Sequence, residues 1–151
     1  MQHFIKHSKA IAFAVLGVTI MSLLSFTPPP AGGEGFEIFL NNKLVIRQYG
    51  SQVNTVGNIE LGAAATTGEL TVKYYHCGRA GKERNITIKN DQDKFLKAFH
   101  YGDAASPNAM MLCHVKDLAG LQKFSKTNEL KLYYSSTELP NGRLLAYIKQ
   151  P

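Results

Sequence analysis

Beyond residue 35 the apolar positions come in short bursts that alternate with polar ones, and turn residues separate the bursts. In LTVKYYH, residues 70–76, Leu70, Val72, Tyr74 and His76 share one side and Thr71, Lys73 and Tyr75 the other. That is the period of two expected of a half-buried strand. FEIFL and KLVIRQY flank Asn41-Asn42, and asparagine tolerates the positive φ angles of a tight two-residue turn, so residues 36–49 read as a hairpin. NITIK places Ile86 and Ile88 inward, NDQD turns the chain, and KFLKAFHY returns as a second hairpin. A short strand is expected around residues 56–61, another in AMMLCHV, and a third hairpin in ELKLYYSSTELPNGRLLAYIKQ. There Pro140-Asn141 would form the corner of a type I turn, with Gly142 in the left-handed position after it.

One stretch carries a helical period. Asp117 can cap a short helix with Leu118, Leu121 and Phe124 along one side, although Gly120 costs about 1 kcal/mol relative to alanine. About eight short strands and one short helix predict an all-β protein, an immunoglobulin-like antiparallel β-sandwich, with a small open barrel as the alternative. Such an architecture hosts many functions and names none.

The first thirty-odd residues follow a different pattern. MQHFIKHSK holds Lys6 and Lys9 and no acid, residues 10–26 run 17 positions without a charge, and TPPPAGGEG breaks the run. This order is that of an export signal, or of an uncleaved anchor helix at the short end of the spanning range. Small residues at Ala31 and Gly33 suit cleavage after Gly33. Residues 1–33 are then the signal or anchor with its Pro/Gly-rich joint, and residues 34–151 are a single β-sandwich domain. Either version places that domain in the periplasm or outside the cell, released or held by residues 10–26.

Charge adds little to this picture. The whole chain carries a formal net charge of +6, and both Lys6 and Lys9 leave with the signal. The remaining bases are scattered, whereas nucleic-acid binding needs them clustered on one face, so no nucleic-acid partner is expected. Membrane contact is expected only through the N-terminal segment, if it is retained.

Candidate chemistry centres on two His/Cys pairs, His76-Cys77 and Cys113-His114. A metal site would need all four side chains to converge, but neighbours on a strand point to opposite faces, so no metal or other cofactor is expected. A cysteine nucleophile would need His100 and Asp103 brought beside Cys113, which nothing in the pattern requires. CGRAGKE lacks the glycine spacing of a phosphate loop and reads as a tight, basic hairpin loop, NDQDKF lacks the glycine and distant Glu of a calcium loop, and Asn85-Ile86-Thr87 matches only a three-residue glycosylation pattern. Two cysteines in an exported domain favour a Cys77–Cys113 disulfide, closing a 36-residue loop worth about 3.8 kcal/mol by chain entropy.

The residues therefore suggest a non-catalytic binding or envelope-assembly domain, and a small envelope enzyme or metal-handling protein built on His76, Cys77, His100, Cys113 and His114 is the alternative. A candidate binding face comes from the outward strand positions. If Leu139 pairs with Arg143, then Tyr133 lies opposite Lys149 and Ser135 opposite Tyr147, while Tyr134 faces the core. Lys73, Tyr75, Tyr133, Tyr147 and Lys149 would then form one basic, aromatic surface if their strands share a sheet, suited to an envelope protein or a glycan.

Overall fold

The computed structural model describes residues 33–62 and 67–149, which belong to one compact unit; the expected export signal lies almost wholly outside them. Among the described residues nine strands are formed: β1 Glu34–Leu40, β2 Lys43–Tyr49, β3 Gly57–Glu60, β4 Glu69–His76, β5 Arg84–Asn90, β6 Phe95–Gly102, β7 Met110–His114, β8 Glu129–Ser136 and β9 Leu139–Lys149. A 3-10 turn, Gly50–Asn54, links β2 to β3, and one α-helix, α1 Val115–Ser125, links β7 to β8. The strands make two sheets, one of order β2-β1-β4-β7 and one of order β3-β9-β8-β5-β6. The mostly β, two-sheet organisation expected from the alternating pattern is present. β3 runs parallel to β9, so the sandwich is not wholly antiparallel.

The alternation dictates the core. Strand β8 buries Leu130, Leu132, Tyr134 and Ser136 and turns Lys131 and Tyr133 outward. Opposite it, β4 buries Leu70, Val72, Tyr74 and His76. Phe36 and Ile38 of β1, Ile86 and Ile88 of β5 and Ile148 of β9 complete one continuous apolar cluster between the sheets. Asn41 and Asn42, at φ 52° and 63°, form the predicted β1–β2 turn. β5 and β6 pair as the predicted second hairpin.

Three local expectations need correction. The last hairpin turns at Thr137 and Glu138, because Ser136 already pairs with Leu139. Pro140, Asn141 and Gly142 are instead taken up inside β9 as a bulge, where proline's missing N–H is tolerated and Gly142 supplies φ +69°. CGRAGKE is not a hairpin loop, since β4 and β5 belong to different sheets and the segment arches between them. The helix starts two residues before Asp117, with His114 in the N-cap position, which rotates its buried stripe to Val115, Leu118 and Gln122. Leu121 is half-buried, and Phe124 is 84% exposed.

Candidate functional site

The His/Cys pairs do not meet. Cys113 on β7 lies opposite Leu70 of β4, while Cys77 follows the far end of that strand, seven residues along. At about 3.3 Å per residue the separation is on the order of 20 Å, against the roughly 4.4–6.8 Å between Cα atoms that a disulfide requires. Both cysteines are free, and the expected Cys77–Cys113 bond is overturned. Cys77 is exposed at φ +51° in the β4–β5 arch. Cys113 is buried beside the Tyr101 hydroxyl, 3.2 Å away, and burial pushes its thiol up to about 11, which leaves it protonated and unreactive at neutral pH.

His114 is exposed in the N-cap of α1, and His100 stands on β6 of the other sheet against the Asn85 side chain. Asn85 also donates its amide to the Glu83 carbonyl at 2.7 Å. Among the described residues no three His, Cys, Asp or Glu side chains gather as metal ligands would.

The predicted binding face divides in two, because its strands do not share a sheet. Tyr133, Tyr147 and Lys149 lie on β8 and β9, Lys73 and Tyr75 on β4 of the other sheet. Within the larger sheet the register also differs from expectation. Lys131 faces Tyr147 and Glu129 faces Lys149, since the turn sits closer to β8 than the Pro-Asn-Gly signal implied. Tyr133 faces Leu144 across a further bulge, but the alternation within each strand keeps Tyr133 and Tyr147 outward and Tyr134 in the core. The lysines here are satisfied from within the face: Lys131 Nζ is 2.9 Å from Asp93, Lys149 Nζ is 3.4 Å from Glu129, and Lys89 lies 4.5 Å over the Tyr133 ring.

The outward face of β2-β1-β4-β7 is different in kind. Across its middle run Phe39, Thr71 and Leu112, with Val45 in the β2 bulge next to Phe39 and with Lys73 and its neighbour Met110 beside them. Of the five exposed large hydrophobic side chains among the described residues, three lie here: Val45 at 39%, Met110 at 62% and Leu112 at 38%. Phe39, Asn42, Thr71, Lys73 and Met110 line a concavity of about 130 Å³. The Lys73 ammonium stands 5.0 Å over the Phe39 ring, at the edge of that hollow.

Beside the strip, Glu37 points outward yet is only 5% exposed. Arg47 Nε donates to it at 2.9 Å, and the Tyr75 hydroxyl does so at 2.9 Å. Burial, and then the bond to Glu37, raises the Tyr75 phenol well above its ordinary value. The Tyr49 ring leans on Tyr75, its centroid 5.6 Å away. Tyr75 is thus a wall of the carboxylate's cage, with its hydroxyl already used.

A second polar group, unsuspected from the sequence, closes one end of the core. Tyr74 and Tyr134 stack across the two sheets at 4.1 Å. His76 Nε2 lies 2.8 Å from the Tyr134 hydroxyl, 3.3 Å from Ser136 Oγ and 4.0 Å from Glu138. The Tyr74 hydroxyl donates to Glu34 at 2.7 Å and accepts from Arg143, which itself meets Glu34 at 2.8 Å. Burial lowers the His76 pKa and outweighs the opposing pull of Glu138 and Glu34, keeping the ring neutral near pH 7. The signal was present in the pattern: tyrosine and histidine at inward positions of β4, tyrosine and serine at inward positions of β8. With His76 only 5% exposed, the cluster ties the sheets together out of contact with water.

A broader hollow of about 480 Å³ lies against α1 and is lined by polar residues including Gln122, Lys123 and Lys126. The Gln122 amide nitrogen is spent on the Ile148 and Asn128 carbonyls, at 3.2 and 3.4 Å. No protein-family model matches the chain, and no curated protein is a significant match to it.

Proposed function

We propose that residues 34–151 are an exported, non-catalytic binding domain of the cell envelope, and that the outward face of β2-β1-β4-β7 is its docking surface. The observation that carries this reading is the concentration of exposed Val45, Met110 and Leu112 on one face beside a hollow that can receive a side chain. Clustered exposed apolar surface marks interaction sites, whereas singly scattered residues need no explanation. The aliphatic composition favours a protein partner over a glycan. Aliphatic groups offer a sugar no hydrogen bonds, and the hydroxyl of Tyr75 is already given to Glu37.

Export rests on Lys6, Lys9 and the uncharged run of residues 10–26. An immunoglobulin-like assignment is supported by strand order. β1-β4-β7 corresponds to A-B-E and β9-β8-β5 to G-F-C, in the same succession along the chain, with β2, β3 and β6 as additions.

The test is site-specific photo-crosslinking in the native host, with the reactive side chain placed at Leu112 or at Tyr147 of the full chain. Adducts with another envelope protein from position 112, and none from position 147, are expected. Adducts from position 147 alone, or none from either, would overturn the proposal.

A further inference from the structure

We propose that this face captures an acidic chain segment, with one apolar side chain seated in the hollow between Phe39 and Met110 and a flanking carboxylate on Lys73. The inference rests on the docking reading above and specifies the partner's chemistry.

Size comes first. At about 130 Å³ the hollow is close to the roughly 150 Å³ of cavity that holds one benzene-sized group, so it admits a single side chain of leucine or phenylalanine size. The apolar strip crosses four strands spaced about 4.8 Å apart and is one to two residues deep, roughly 200 Å². That is far below the roughly 800 Å² per partner of a stable globular interface. A short segment fits it better than a broad surface.

Charge then selects the segment. Among the described residues the ion pairs use Arg47, His76, Lys97, Lys131, Arg143 and Lys149, and Lys73 has no carboxylate within 4.0 Å. On the opposite face of the sandwich the outward Lys131 and Lys149 each have one. Glu37, which pairs in register with Lys73, is closed off by Arg47 and Tyr75, and the exposed Glu69 lies four residues from Lys73 along β4. The mouth of the hollow therefore presents one ammonium, that of Lys73, without a carboxylate partner within 4.0 Å. A second copy of this chain, docking face to face, would need several times this apolar area. Lys73 is also held by its ring contact with Phe39, so its ammonium stands at the mouth of the hollow and not in free solution.

Fluorescence polarisation of the full chain with three dye-labelled pentapeptides tests this: Gly-Asp-Leu-Asp-Gly, Gly-Lys-Leu-Lys-Gly and Gly-Asp-Gly-Asp-Gly. Only the first should bind, and raising the salt should weaken it, because the ammonium is partly exposed. Lys73→Glu should reduce its binding by about tenfold or more and transfer preference to the Lys-Leu-Lys peptide. Met110→Ser should weaken it, while Lys131→Glu, on the other face, should leave it unchanged. Equal binding of the acidic and basic peptides, indifference to Lys73→Glu, or no binding by any of the three overturns the inference. Crosslinking from position 112 alongside such a result would leave the docking face standing and remove only its acidic, apolar specificity; absence of both would remove the two together.

Discussion

Replacing Tyr134 by phenylalanine isolates one hydroxyl in the core. The ring keeps its volume and its 4.1 Å stack on Tyr74, so no cavity opens. What is lost is the 2.8 Å contact to His76 Nε2, in a place where the imidazole is almost wholly out of water. Ser136 at 3.3 Å can take over part of that bond, and Glu138 at 4.0 Å is too far to do so. A buried polar atom left short of a partner costs about 1–3 kcal/mol, and the Ser136 contact places the expected loss near 2 kcal/mol. Urea unfolding near neutral pH, followed by tyrosine fluorescence or circular dichroism, measures it. With a slope of about 1–3 kcal/mol per molar, the midpoint should fall by roughly 1 M. His76→Phe alone should also destabilise, by stranding the Tyr134 hydroxyl. The double variant should then lose less than the sum of the two, by about 0.5–3 kcal/mol, because neither partner is left behind. If Tyr134→Phe matches the parent within about 0.3 kcal/mol, or if the two losses simply add, the His76–Tyr134 bond is not what holds this end of the core together.

Four further outcomes follow from the structure. Cys77→Ser should change stability by less than about 0.5 kcal/mol, where loss of a native disulfide would cost about 2–5, and in the folded chain a thiol reagent should label Cys77 but reach Cys113 only after unfolding. Gly142→Ala should cost about 1–2 kcal/mol in thermal or urea unfolding, since its φ is +69° and the new Cβ would sit 3.2 Å from the Tyr134 carbonyl. Gly120→Ala, in the exposed middle of α1 with nothing within 4 Å, should instead stabilise by about 0.4–1 kcal/mol. Stability should fall with acidification in two stages. The depressed pKa of His76 makes the unfolded chain bind more protons, so its contribution is full above about pH 6.5 and is lost as pH falls through the lower native value. Burial pushes Glu34 and Glu138 up, but the hydrogen bonds they accept hold both below 4.5, so their share is lost at lower pH still. Denaturant unfolding across pH, with His76→Gln removing only the upper stage, checks the assignment.

The strands were legible because alternation is a local property. Each residue of β4 and β8 declares its side of the sheet without reference to any other segment, and the Asn41-Asn42 turn is likewise local. What could not be read is which strands share a sheet. That depends on whether a loop such as CGRAGKE doubles back or arches over, and its residues permit both. The candidate face failed at this step, since Lys73 and Tyr133 have the same outward setting on opposite sides of the molecule. The last hairpin shows a related limit. Pro140-Asn141-Gly142 has the composition of a turn, but a bulge asks for the same residues, and only the pairing of Ser136 with Leu139 separates them. The cysteines failed for the reason that spacing along a chain does not set distance in a sheet: 36 residues apart in sequence, they sit near opposite ends of paired strands.

The placement of the apolar strip next to an edge strand raises the choice between docking on the face of the smaller sheet and adding a strand to its edge. β7 is that edge, and strand addition needs its outward carbonyls and amides unpaired. Two carbonyls along this stretch are already occupied by side chains from the other sheet. The Tyr101 hydroxyl donates to the Leu112 carbonyl at 2.6 Å, and Arg84 Nη1 donates to the Ala109 carbonyl at 3.0 Å. At the other edge, β2 carries the exposed Lys43 and Arg47 and is bulged against β1 between Ile38 and Phe39, both features that discourage edge pairing. The Tyr101 contact therefore does two things: it joins the sheets across their open side, and it closes the backbone of β7 while leaving the Met110 and Leu112 side chains bare. A partner drawn to this region meets a blocked edge and an open face, which is why Lys73, Phe39 and Met110, and not the β7 backbone, are the groups on which its recognition should depend.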